Sequence, residues 1–339
     1  MIEKLILLKL YAPDTYIYWG WAVLVALTAG VAAVWWRSRR RWLRWLLTVP
    51  LVVAWYVFIY GTYIGFRKIE VVHEEYASSQ LPPAFDGYKI VMFSDAHVGS
   101  YTGWRRDILR RAVDSINAQQ PDLVVFVGDL QNKEASEIDG VKDILSSIHA
   151  RDGVVSVLGN HDYAMYLDTT HLDESQRYRC MMRTVTAEQD MGWTVLMNDR
   201  LRIRRDSSQI IIAGLENDGE GRFPQLGNIT NALEGISRSS FVVMLEHDPT
   251  CWRRKILTHS HAQLTLSGHT HDGQFSVLGL SPAMFMYKER HGWYRNADGR
   301  ALYVTKGLGG VVPFRFGATG EIVVITLKSP PQPLPKGGA

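Results

Sequence analysis

Two stretches of 22 residues, Thr15 to Trp36 and Trp45 to Phe66, contain no charged side chain. At about 1.5 Å of rise per residue, either is long enough as a helix to cross roughly 30 Å of hydrocarbon. Seven of the 11 tryptophans precede Tyr56. Trp19, Trp21, Trp35 and Trp36 lie near the ends of the first run, and Trp45, Tyr60 and Tyr63 near the ends of the second, where amphipathic rings favour the membrane interface. The pattern predicts two transmembrane helices, 15–36 and 45–66. The alternative is a helical hairpin buried in a soluble core, where uncharged runs of this length are rare. A cleaved signal peptide is disfavoured by Asp14 and the long leader before the first run, and by the Trp and Arg residues that follow Ala29 to Ala33.

Between the runs, Arg37, Arg39, Arg40, Arg41 and Arg44 make a short loop without an acid. Such loops stay in the cytoplasm. Two spans return the chain to its starting side, so everything after Phe66 is expected outside the cytoplasm, although Lys4, Lys9, Arg67 and Lys68 reduce the contrast. Through Phe66 the chain has seven basic and two acidic residues. With a total of +3, the remainder carries −2. That balance argues against nucleic acid as a partner, because such binding needs a basic field to displace counterions. Two cysteines, Cys180 and Cys251, rule out a disulfide framework or a cysteine-rich zinc module. Neither is near a phosphate-cradling loop, so a thiol nucleophile is also disfavoured.

The organisation reads as a membrane anchor (1–66), a polar linker (67–86) with a short strand at Ile69 to Val72, a folded domain (87–328) and a Pro- and Gly-rich disordered tail (329–339). In the domain, short β-branched or aromatic runs alternate with helical patterns: Lys89 to Phe93, Leu123 to Val127, Val154 to Leu158, Phe241 to Leu245 and Gln263 to Leu266. Ile108, Leu109, Ala112, Val113 and Ile116 recur at helical spacing between the first two. This alternation indicates βαβ units and an α/β fold. Leu201 to Arg204, Ile210 to Ala213, Leu302 to Thr305 and Ile322 to Leu327 read as strands of a second sheet packed on the first.

Each of the five leading strands ends in ligand-type residues. They are Ser94-Asp95-Ala96-His97, Gly128-Asp129, Gly159-Asn160-His161-Asp162, Glu246-His247-Asp248 and Gly268-His269-Thr270-His271. Carboxyl ends of strands in an open α/β sheet line one crevice, so five clusters would converge. Imidazole, carboxylate and amide donors without thiolate suit Mn, Fe or Zn, and seven candidate ligands are too many for one four-coordinate ion. His259 and His261, at the end of a helical stretch, read as structural or solvated.

Asp95-x-His97, Gly128-Asp129, Gly159-Asn160-His161-Asp162, His247 and Gly268-His269-x-His271 resemble the five ordered motifs of the calcineurin-like metallophosphoesterases. Gly273-Gln274 and Gly307-Leu308-Gly309, with Pro313, Arg315 and Phe316, resemble the bacterial membrane-associated branch, although Asp272 stands where that branch usually has glycine. The resemblance implies an αββα two-sheet sandwich. It implies two divalent ions, with Mn²⁺ preferred over Fe or Zn. Asp95, His97 and His271 would hold one ion, Asn160, His247 and His269 the other, and Asp129 would bridge them. Catalysis would proceed by a bridging hydroxide, with His161 protonating the leaving oxygen and Asp162 orienting its ring. Asp248 or Glu246 would support His247.

For Arg315 two readings stand, a substrate contact and a salt bridge to an acid such as Glu321. Met284 to Tyr287 with Trp293 and Tyr294 read as core residues, with an apolar rim for a lipid-like substrate as the alternative.

The expected protein is therefore a multi-pass bacterial cell-membrane hydrolase of a phosphomonoester or phosphodiester. Its substrate is expected to be a lipid or cell-envelope compound, with the bilayer as a partner and no obligate protein partner. One alternative is a cytoplasm-facing pyrophosphatase of a nucleotide-linked sugar lipid, of the lipid A precursor type. Another is a non-catalytic receptor or scaffold on the same fold.

Overall fold

The structure, a computed structural model, describes residues 13–167 and 173–329. The expected disordered tail, apart from Ser329, lies outside the described residues.

Helices α1 (Pro13–Arg37) and α2 (Arg41–Ile59) form a hairpin around the arginine turn. Both are long and apolar enough to cross a membrane. Among their described residues only Leu24 is buried, so the hairpin is not the core of the fold. Indole N–H groups tie the two helices together. Trp35 Nε1 donates to Thr48 Oγ1 at 2.8 Å, Trp55 Nε1 to Thr28 Oγ1 at 3.0 Å, and Trp21 Nε1 to the Tyr63 hydroxyl at 3.1 Å. In a low-dielectric setting these bonds satisfy donors that would otherwise be costly.

The end of α2 widens into a π turn (Tyr60–Ile64) and a 3₁₀ turn (Gly65–Arg67), and the folded domain seats there. A Cβ on Gly61 would sit 2.1 Å from the Phe314 ring, and one on Gly65 1.8 Å from the Arg315 carbonyl oxygen. Glycine is needed at both positions for this close approach. Arg315 N–H donates to the Gly61 carbonyl at 3.0 Å. At the start of α1, Asp14 pairs with Arg105 at 2.5 Å. Both helices therefore meet the domain at the same end of the hairpin, opposite the arginines.

The domain is an αββα sandwich. The first sheet has the order β1 (Ile69–Ala77), β12 (Gly320–Lys328), β2 (Lys89–Phe93), β3 (Leu123–Val127), β4 (Val154–Val157), β5 (Thr194–Val195). The second has the order β10 (Gly292–Arg295), β11 (Ala301–Val304), β9 (Leu264–Ser267), β8 (Phe241–Leu245), β7 (Ser208–Gly214), β6 (Asp199–Arg205). Strands β2 to β5 are parallel, as are β7, β8, β9 and β11.

Alternation along each strand builds the layers. Ile90, Met92, Val125, Val127, Val243 and Leu245 fill the space between the sheets. Val91, Phe93, Val124 and Phe126 face outward onto Ile108, Leu109, Ala112 and Ile116 of α3 (Arg106–Ala118). Val242 and Met244 face Trp252 and Ile256 on the other side. Each such fully buried side chain contributes about 1.5–3 kcal/mol. A further helix, α4 (Glu174–Asp190), follows the β4 loop.

Three expectations change. The five leading strands do not share one sheet: β2, β3 and β4 belong to the first, β8 and β9 to the second. Ile322 to Leu327, expected in the second sheet, is part of β12, which inserts in the first sheet, antiparallel to β2 and parallel to β1. The first half of the expected linker 67–86 is strand β1, paired with β12 over nine residues, Ile69 to Ala77. Its Tyr76 is buried and donates to the Gln263 carbonyl at 2.7 Å, which locks the two sheets together at this edge.

Candidate metal centre

All five clusters converge at one end of the sandwich, where the carboxyl ends of β2, β3 and β4 meet those of β8 and β9. Three groups of carboxylate and imidazole donors have ligand atoms within 4.8 Å of one another: Asp95, His97 and His271; His97, Asp129 and His161; Asp129, His247 and His269. His271 Nε2 lies 3.2 Å from Asp95 Oδ1 and 3.1 Å from His97 Nε2. Asp129 Oδ2 sits between the groups, 3.2 Å from His247 Nε2, 3.7 Å from His97 Nε2 and 4.0 Å from His161 Nε2. Asn160 Oδ1 is 2.8 Å from His269 Nδ1. The Asn160 amide nitrogen donates to the Tyr166 hydroxyl at 3.2 Å, which turns the amide oxygen towards the cluster.

The backbone is strained where these side chains emerge. Asp95, His97, Asp129, His269 and His271 all have positive φ, between 46° and 74°. Left-handed conformations disfavour any residue with a Cβ by about 1–2 kcal/mol. Glycine would relieve that strain but supply no donor atom, and strain of this kind gathers at functional sites.

The donor set fits two divalent cations. It combines imidazole nitrogen, carboxylate and amide oxygen, as borderline divalent metals require. Burial, then the neighbouring His161, pushes His97 well below the usual histidine range; burial, then His97, does the same to His271. Both rings are thus held neutral with a lone pair to offer. Burial pushes the Asp95 carboxyl up to about 6, a cost of ionisation that an adjacent cation would remove. His247 Nδ1 contacts the Val127 carbonyl at 2.7 Å and His161 Nδ1 the Asn132 carbonyl at 2.6 Å. With Nδ1–H donating there, both rings present Nε2 to Asp129; for His247 this is the usual orientation of a ligating histidine.

Three expected roles change. Asp162 does not orient His161. Its buried carboxylate accepts from the backbone N–H groups of Asp129 and Gly159 at 2.8 Å, Leu130 at 3.0 Å and Gln131 at 3.3 Å, so it holds the loop that aims Asp129. Neither Asp248 nor Glu246 supports His247: Asp248 Oδ2 faces His269 Nε2 at 3.5 Å, and Glu246 accepts from the N–H groups of Asp218 and Asp248. Arg315 is turned to the backbone rather than to the metal centre or to Glu321. It is buried, and its guanidinium donates to the carbonyls of Lys306, Gly307, Gly309 and Ala318, clamping the Gly307-Leu308-Gly309 loop beneath the site. Cys180 and Cys251 are both free thiols.

Residues missed in the sequence are mostly aromatic. The Tyr166 ring stacks on His161 at 4.0 Å, the Tyr287 hydroxyl lies 3.0 Å from His269 Nε2, and Phe223 meets His269 edge-on at 4.9 Å.

Residues 88–273 match the family model of the calcineurin-like phosphoesterases. The metallophosphoesterase YkuE of Bacillus subtilis is 32% identical over 306 residues, covering 86% of this chain and 98% of that protein. The chain belongs to the calcineurin-like metallophosphoesterases. It is a phosphoesterase hydrolase of a family that typically binds two divalent metals. A Danio rerio transmembrane protein with a metallophosphoesterase domain is 29% identical over 288 residues, which cover 83% of this chain but 62% of that protein. Among solved structures, a dimetal phosphatase from Danio rerio aligns with 71% of this metallophosphoesterase and 99% of its own chain, at a TM-score of 0.40 and 14% identity.

Proposed function

We propose that this metallophosphoesterase is anchored in the membrane by α1 and α2 and hydrolyses a lipid or cell-envelope phosphomonoester or phosphodiester outside the cytoplasm. The observation that carries the reading is the position of Asp129 Oδ2, within 4.0 Å of His97, His161 and His247. Asp95, His97 and His271 would hold one ion, Asn160, His247 and His269 the second, and Asp129 would bridge them. Two divalent ions, Mn²⁺ first among them, supply Lewis acidity to the phosphoryl oxygens and to the attacking water when bound. Asn132 holds the His161 ring with Nε2 turned to the donor cluster around Asp129, from where it would deliver a proton to the departing oxygen of a bound phosphoester. Tyr166 covers the other face of that ring and keeps bulk water from it.

Membrane anchoring is supported by the exposed apolar faces of α1 and α2 and by the membrane-protein name of the Danio rerio relative. The arginine turn lies at the end of the hairpin away from the catalytic domain, which supports an extracytoplasmic domain. A C-terminal reporter active only outside the cytoplasm is expected to score positive; activity from a cytoplasm-specific reporter instead would reverse the side.

Full-length protein in detergent is expected to bind about two divalent ions per chain. With Mn²⁺, Fe²⁺ or Zn²⁺ it should turn over p-nitrophenyl phosphate or its diester, lose that activity on chelation and recover it on metal return. A protein that neither bound metal nor turned over in any of these ions would contradict the enzymatic reading.

A further inference from the structure

The chain from Phe275 to Tyr287 has no charged residue, and the domain leaves most of its large side chains in the open. Leu278 is 98% exposed, Phe285 87%, Met286 73% and Leu280 63%, with Val277 and Met284 above 40%. Isolated exposed apolar residues are ordinary, but a contiguous group marks an interaction surface. Of the segment Met284 to Tyr287, expected in the core, Met284, Phe285 and Met286 are exposed and Tyr287 is half-buried.

The segment is held in shape. Val277 and Leu280 exchange both backbone hydrogen bonds at 2.9 Å. The turn between them places Leu278 and Gly279 at φ 52° and 80°, the pair of positive angles for which Asn-Gly is the common choice. Leucine gains nothing there from the fold: it is strained and almost fully exposed. Arg290 pins the turn to the metal loop, with Nη1 on the Asp272 carboxylate and Nη2 on the Gly279 carbonyl at 2.9 Å. Ser281 Oγ adds a bond to the Asp272 carbonyl at 2.6 Å. Asp272, in place of the branch's usual glycine, thus supplies the anchor for this hairpin.

The root of the hairpin is linked to the membrane helix through Phe316. Ser276 N–H donates to the Phe316 carbonyl at 2.7 Å, and the Phe275 ring stacks on Phe316 at 5.4 Å. Phe316 in turn meets Tyr60 at 5.4 Å, in the π turn that follows α2, and Tyr56 at 6.1 Å, on the last turn of α2. Leu278 is two residues further along the chain than Ser276, a span of at most about 7 Å. At the other end of the segment, Tyr287 contacts His269 of the metal centre.

We propose that residues 277–286 form a wedge that inserts into the leaflet beside α2, and that its occupant is the lipid bilayer itself. The proposal rests on the membrane-spanning reading of α1 and α2 and gives the site its substrate route. An amphiphilic phosphoester would slide along the apolar side chains from the leaflet to the metal centre with its tails still in lipid. Continuity of the patch with α2 favours lipid over a protein partner, since a surface joined to a membrane span lies at the interface whenever the span is inserted.

The test uses the full chain in nanodiscs of phosphatidylcholine and phosphatidylglycerol, in a Cys180→Ser background in which Cys251 stays buried. Bimane is attached in turn to Leu278→Cys, Phe285→Cys, Val53→Cys in α2, and Glu234→Cys near the far sheet edge. Brominated lipids are expected to quench the labels at Leu278, Phe285 and Val53, with blue-shifted emission, and to spare the label at Glu234. Quenching at Val53 without quenching at Leu278 and Phe285 overturns the wedge while leaving the spans intact. Absence of quenching at Val53 as well overturns the spanning reading on which it rests. A blue shift at Leu278 without quenching, growing with protein concentration, assigns the surface to a second copy and overturns the bilayer as occupant.

Discussion

Asp129→Ala is expected to remove metal loading and activity together. The carboxylate stands between the two donor groups, and its loss leaves His247, His97 and His161 without the carboxylate that all three face. Lewis-acid stabilisation is worth several kcal/mol, so kcat/KM should fall by about 10³ or more. Elemental analysis of the purified variant should find less than one ion per chain, and added Mn²⁺ should not restore turnover. A variant that kept both ions would remove Asp129 from the bridging position. The fold should survive, because Asp162 holds the loop through four backbone N–H groups, whereas the Asp129 carboxylate accepts one, that of His161 at 2.8 Å.

His161→Ala separates chemistry from metal binding. If His161 Nε2 protonates the leaving oxygen, the loss depends on how much that oxygen needs a proton. An alkyl phosphoester should slow by about 10²–10⁴, the range for a general acid, whereas p-nitrophenyl esters, whose leaving group departs as an anion, should slow far less. Metal content should be unchanged. Equal losses on both substrates would mean that the residue acts by positioning or ligation. Asp162→Asn provides the contrast. Its amide has one accepting oxygen for four backbone N–H groups, each unmet buried donor costing about 1–3 kcal/mol. Chemical denaturation should therefore show a clear loss of stability, with metal affinity weakened about 10- to 100-fold, and no dependence on leaving group.

The pattern behind these variants was partly visible in the chain. Every strand that delivers a candidate ligand was readable, because the buried strands are short, mostly apolar runs followed within a few residues by Asp, Asn or His. The missing elements lacked such a signal. Helix α4 buries only Met181, Thr184, Val185 and Glu188 among 17 residues, too sparse a stripe to stand out. Strand β1 continues through His73, Glu74 and Glu75, which read as linker but form a nine-residue edge beside β12. The assignment of strands to sheets was also beyond local reading, since β12 and β2 are more than 200 residues apart and pair through the core.

The sequence by itself determined the chemistry available: the ligand types, their order at strand ends, and a basic, tryptophan-rich apolar hairpin ahead of a mildly acidic domain. These are local properties, carried by side-chain type and by periodicities of two and 3.6 residues. Only the tertiary structure decided which atom faces which. Asp162 turned to the Asp129 loop, Arg315 spent its bonds on carbonyls, and Leu278 was left in the open. Hydrogen-bond partners and exposure depend on contacts between segments far apart in the chain, and those exist only once the two sheets have closed on each other.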